Sequence, residues 1–273
     1  MGTSTSSRGP GPNVSFDPPW LDDVLEELGP DAVPPTDGEP VAPKGSPGAA
    51  QPARYVDARR ELKKFIKSGS TDNLRNAIGH YSSKGSGGAG AASTRMRAST
   101  RAGAELFSFL NAVSQGSSVE ARQWVQDLQS GNPTADDVID AIVLELSPPG
   151  GSADEEALRD SMASALTELV VENPGIDLML LQTPHIWELM KNYLASEVVH
   201  RLCFDLGPLL ESAKVNPTIA VQREREMRLF IKLEIGEHLE LLRGTNQNPT
   251  RADLDGILQE TLKMTFELFE AGL

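Results

Sequence analysis

The sequence predicts an all-α protein: an irregular bundle of about eight or nine helices behind a long disordered N-terminal tail. Three observations predict it. From about residue 54 onward, apolar residues recur at helical spacing and strand-like alternation is absent. Hydroxyl residues stand three positions ahead of carboxylates at the start of successive apolar runs. Proline- and glycine-bearing breakers separate those runs.

The tail comes first. Residues 1–53 hold 11 of the 19 prolines and 7 of the 24 glycines. Such a segment cannot offset its ordering entropy by burial and reads as disordered. One island, DPPWLDDVLEEL, differs. Trp20, Leu21, Val24, Leu25 and Leu28 share a helical face, and Asp22, Asp23, Glu26 and Glu27 occupy the other. The spacing predicts a short acidic amphipathic helix near residues 19–28, a shape that docks in a partner's groove or on this chain's own bundle.

Residues 54–273 read as a helical domain. RYVDARRELKKFIK places Tyr55, Val56, Leu62, Phe65 and Ile66 near one face, and the next helix presents Leu74, Ile78 and Tyr81. KGSGGAGAAS then reads as a glycine-rich break, after which AELFSFLNAV resumes an apolar helix. Ser117 with Glu120, Thr134 with Asp137, Ser152 with Glu155 and Thr250 with Asp253 each fit a capping box. Pro184 after Thr183 marks another start. Breakers stand at SGNP, SPPGG, ENPG, KVNP and TNQNP. In the last helix Leu254, Ile257, Leu258, Thr261, Leu262, Thr265, Leu268 and Phe269 form a continuous stripe.

Charge divides the chain. Residues 1–53 carry a net −6, residues 54–101 a net +8 and residues 102–273 a net −16, within a total of −14. That total argues against general nucleic-acid binding by the whole chain, while leaving a local basic surface. The lone Cys203 allows no intrachain disulfide and no multi-cysteine metal site, which suits a reducing cytoplasm. No stretch has the roughly 20 apolar residues that span a bilayer, so no membrane partner is expected.

Several motifs invite a chemical reading. The glycine loop lacks the GxxxxGK[ST] order and follows no strand, so a turn with close packing fits better than a phosphate cradle. Lys84, Arg95, Arg97 and Arg101 flank it as a basic patch, able to meet an acidic partner, nucleic acid or this chain's own acidic bundle. Glu197 and His200 make an ExxH, but a carboxylate-bridged di-metal bundle needs a second one, and none is present. Glu234 and His238 sit one turn apart, with His238 on the face of Ile235 and Leu242 as a satisfied buried or boundary histidine. Cys203, beside Leu202 and Phe204, reads as core. No nucleophile elbow, zinc-protease helix or dinucleotide fingerprint occurs. The expectation is a non-enzyme with no metal and no cofactor.

The opening MGTSTSS remains. Initiator methionine is removed when the second residue is small, which would leave Gly2 first, with a free α-amine of pKa near 8. Thr3, Ser4, Thr5, Ser6 and Ser7 follow as a strand of small residues able to thread a narrow active site. The same letters fit a myristoylation pattern, but one acyl chain binds membrane only marginally and the tail behind it is acidic.

Two stretches carry a family likeness: MGTSTSSRGPGPNVSFDPPW, and the block from RYVDARRELKKFIKSG through NLRNAIGHYSSKGSGGAGAASTRM. They resemble the QatB proteins of the Qat anti-phage defence system of bacteria. The resemblance implies three partners: an ATPase, a protein like the 7-cyano-7-deazaguanine synthase of queuosine biosynthesis, and a TatD-like nuclease. It further implies that Gly2 is the amine modified with a deazaguanine group, and that Thr3 to Ser7 are read by the synthase-like partner. The alternative is an adaptor that uses the basic segment 54–101 to bind nucleic acid or an acidic partner.

Overall fold

The computed structural model describes residues 54–147, 151–207, 216–244 and 249–273, all within one unit, Arg54–Leu273. The tail 1–53, with the helix expected near 19–28, lies outside the described residues. Among the described residues every regular element is helical. Ten α-helices and one π-helical turn follow in order: α1 Val56–Ser68, α2 Thr71–His80, the π-turn Tyr81–Ser86, α3 Ala89–Arg95, α4 Arg97–Gln115, α5 Val119–Gln129, α6 Ala135–Leu146, α7 Ala153–Glu172, α8 Thr183–Leu206, α9 Pro217–Arg243 and α10 Arg251–Ala271.

The central helix is α8. All eight residues from Asn192 to Val199 are buried, so it is enclosed on every side rather than lying on a surface. It packs against α4, α7 and α9. Helix α4 also packs against α10, which touches α2, α3 and α9 as well. Helices α1 and α2 pair through a tight turn at Gly69, whose φ of 73° is the left-handed conformation that ends α1. Lys232 of α9 reaches Glu168 and Glu172 of α7 at 2.9 and 2.8 Å. The core is mainly aliphatic, and each fully buried leucine, isoleucine or phenylalanine stabilises the fold by about 1.5–3 kcal/mol.

Three of the four expected capping boxes form, at Thr134, Ser152 and Thr250. The fourth shifts by one residue: Ser118, not Ser117, accepts from the Ala121 amide at the start of α5. Both positions are serines, and Ser118 is the one whose extended backbone aims its hydroxyl at the first turn. On α10 the buried stripe includes Phe266, while Ile257 and Leu268 are only half-buried. On α1, Val56 is 47% exposed and Ala58 takes its place in the core.

The glycine-rich stretch is less of a break than its composition suggests. Only Gly87 and Gly88 interrupt the helices, with φ of 90° and 102°. The following alanines are strong helix formers and build α3, a helix beyond those the sequence predicts. Close packing does occur there. A Cβ on Gly85 would sit 2.4 Å from the Tyr55 ring, which stacks on Tyr81 at 5.5 Å.

Candidate functional site

A cavity of about 70 Å³ opens where the basic segment meets α7 and α8. Helical spacing builds its walls. Glu197, His200, Arg201 and Phe204 fall on one face of α8, and Ala153, Asp154, Ala157 and Leu158 on one face of α7. Arg95 and Met96 come from the end of α3, and Ala98 and Ser99 from the first turn of α4.

Glu197 is 6% exposed. The Ser99 hydroxyl donates to its Oε2 at 2.5 Å, while its Oε1 is buried with no hydrogen-bond partner among the described residues. Burial raises its carboxyl above the ordinary glutamate value, opposed by the Ser161 and Ser99 hydroxyls and the Arg201 charge. Ser161 of α7, fully buried, lies 2.9 Å from His200 Nδ1. Burial, and then the Arg228 charge, push His200 below its ordinary value. The ExxH pair is thus held by two hydroxyls from other helices. Among the described residues no group of three or more His, Cys, Asp or Glu side chains is placed to hold a metal ion.

Beside the cavity, Asp205 collects the basic segment. Arg95 donates to its two carboxylate oxygens at 2.9 and 3.1 Å, and the Tyr81 hydroxyl donates to Oδ2 at 2.7 Å. Arg201 lies 3.7 Å from the same oxygen. Burial and then the Asp205 charge raise the Tyr81 hydroxyl far above its ordinary value, so it remains a donor. Arg59 donates to the backbone oxygens of Leu206 and Asp205 at 3.1 and 3.5 Å, fixing the end of α8 against α1.

The four expected patch residues therefore divide. Arg95 turns inward to Asp205, Lys84 pairs with Asp57 at 2.5 Å and Arg101 stands 4.0 Å from Asp255. Arg97 alone of the four is exposed with no ion pair among the described residues. Most of this positive charge meets the chain's own carboxylates. The sequence did not single out Asp205, Ser99 or Ser161. The legible signal for Ser161 is a serine inside an apolar stripe, SMASAL.

Elsewhere, Cys203 is half-buried against the core, and Phe204 is 62% exposed. Of the two placements expected for His238, the structure has the boundary one, and its Nε2 is not satisfied as expected: it is buried without a hydrogen-bond partner among the described residues. Gly2, Thr3 to Ser7, and Trp20, Leu21, Val24, Leu25 and Leu28 lie outside the described residues. No described helix is long and apolar enough to cross a membrane.

Comparison with curated proteins and with solved structures finds no match for this chain. Residues 87–269, from the glycine break to the last core phenylalanine, match the family described as Qat anti-phage system associated protein QatB. That stretch holds α3 to α9 and nearly all of α10, including every wall of the cavity, and the chain belongs to the QatB family.

Proposed function

We propose that this chain is a non-catalytic component of an anti-phage defence complex. It docks on a partner resembling 7-cyano-7-deazaguanine synthase and presents its Gly2 amine for modification with a deazaguanine group. The observation that carries the reading is the opening Met-Gly-Thr-Ser-Thr-Ser-Ser in a chain of the QatB family. An N-terminal glycine offers an unhindered amine, and the small residues behind it follow into a narrow site. The amine nitrogen attacks the activated acyl carbon of the deazaguanine. A C–N bond forms, the activating group leaves with its electron pair, and the amine gives up a proton. Docking through the helical domain makes the encounter intramolecular, with an effective concentration of order mM. The ATPase and the TatD-like nuclease are the further partners of the same complex.

The test is intact mass of the chain expressed with and without the neighbouring system proteins, followed by fragmentation of the N-terminal peptide. The expected result is a mass addition on Gly2 that requires the synthase-like protein. Deleting residues 2–7 removes the addition and the defence while leaving the helical circular dichroism and melting temperature unchanged. An unmodified Gly2 in both samples, or full defence from the deletion, overturns the reading.

A further inference from the structure

The longest described helix, α9, presents a row of side chains to solvent: Val221, Arg225, Leu229, Leu233, Glu237 and Leu241. The four apolar members are 67%, 46%, 71% and 63% exposed. A solvent-facing helix row is ordinarily polar. Here four of six positions are aliphatic, and residues four apart form the ridge that packs into the grooves of another helix. No other described element covers this row.

The order of the row says what covers it. Read in either direction from position 231, it runs leucine, charge, aliphatic. The two charges are opposite in sign, Arg225 on one side and Glu237 on the other. Both are exposed, and neither enters an ion pair among the described residues, although neighbouring charges do. A two-fold axis through position 231 sets a second α9 antiparallel to the first. Leu229 then meets the second copy's Leu233, and Arg225 meets its Glu237, while Val221 and Leu241 lie beyond the contact because the row winds around the helix. Each of the four inner residues finds its complement in the same sequence, as a two-fold contact requires. A parallel arrangement would place like charges together. A foreign helix would have to carry this same alternation by coincidence.

We propose that α9 is a dimerisation face, and that its occupant is a second copy of this chain. The leucines supply the buried area and the two symmetry-related Arg225–Glu237 pairs set direction and register. Ridge packing of this kind crosses two helices at about 50° with axes about 8–10 Å apart. The paired leucines then sit at the crossing, with the charges on either side.

Sedimentation of the full chain over a range of concentrations tests this. Wild type is expected to form a dimer. Leu233→Glu is expected to be monomeric, with unchanged circular dichroism and melting because the side chain is exposed. Arg225→Glu, which sets two carboxylates opposite each other, should weaken self-association by about tenfold. The exchange Arg225→Glu with Glu237→Arg should restore it, which a merely structural role for either residue would not do. A wild-type chain that stays monomeric to about 100 µM overturns the proposal. So does a dimer indifferent to Leu233→Glu. Loss of a system partner on Leu233→Glu from a monomeric chain would also overturn it, and would give the face to that partner.

Discussion

Burial raises the Glu197 carboxyl above its ordinary value of 4.5, so the folded chain holds a proton there more tightly than the unfolded chain. The stability this group contributes is complete below 4.5 and is lost as pH rises through the raised folded value. His200 works in the opposite sense. Its folded value lies below 6.5, so its contribution is present above 6.5 and is lost as pH falls through the lowered value. Glu197→Gln removes the first dependence and keeps the second. Thermal unfolding of both proteins from about pH 4 to about pH 8 should show the variant gaining on wild type as pH rises, with the difference closing at the acid end. A constant difference across that range would contradict it. At this scale the sequence was readable only in part. Glu197 and His200 stood out by spacing, but their hydroxyl partners lie on other helices, 98 positions from Glu197 and 39 from His200. Arg95 likewise read as surface charge because Asp205 is 110 positions away.

Elements were more legible, because caps and stripes are local. Thr134, Ser152 and Thr250 announce their helices through an offset of three residues, and the structure uses each of them. The failures are equally local in cause. Two adjacent serines blur one cap, and an alanine-rich helix is hidden behind glycines. Helix-to-helix distance is the property that composition conceals. A Cβ on Gly103 of α4 would lie 2.9 Å from the Tyr193 ring and 3.0 Å from Leu258, so this glycine lets α4 approach both α8 and α10. Gly103→Ala should destabilise the protein by about 1–3 kcal/mol, the penalty of overpacking exceeding the gain in helix propensity. Gly90 of α3 has nothing within 4 Å of its would-be Cβ. Gly90→Ala should instead stabilise by about 0.5–1 kcal/mol. Melting curves of the two single variants, shifted in opposite directions, check the pair.

At the scale of the molecule, the all-helical class was plain from periodicity, and the family match falls on residues 87–269. The stretches that carried the resemblance lie mostly ahead of it and overlap only from Gly87 to Met96. The helical region suggested less to the eye because a bundle core accepts many aliphatic choices, whereas a glycine-rich run or a Pro-Pro-Trp is conspicuous. Charge reads differently at this scale too. The excess of +8 in residues 54–101 looks like a surface waiting for a polyanion. Much of it is a fastening, with Arg95 and Arg75 tied to Asp205 and Glu234 of the acidic region.

The enclosure of α8 has a consequence in time. Amide hydrogens from Asn192 to Val199 can reach solvent only when α4, α7 and α9 all move away, which amounts to opening the whole domain. Helix α5 is the contrast: Ala121 is its one fully buried residue, and Trp124 leans on Phe109 at 5.1 Å. Deuterium exchange followed by peptide mass should find α5 labelled early and the middle of α8 labelled last, at the rate of global unfolding. The cavity takes one of its walls, Glu197, from that slowest segment. Whatever enters it meets a wall that holds its shape for as long as the protein stays folded.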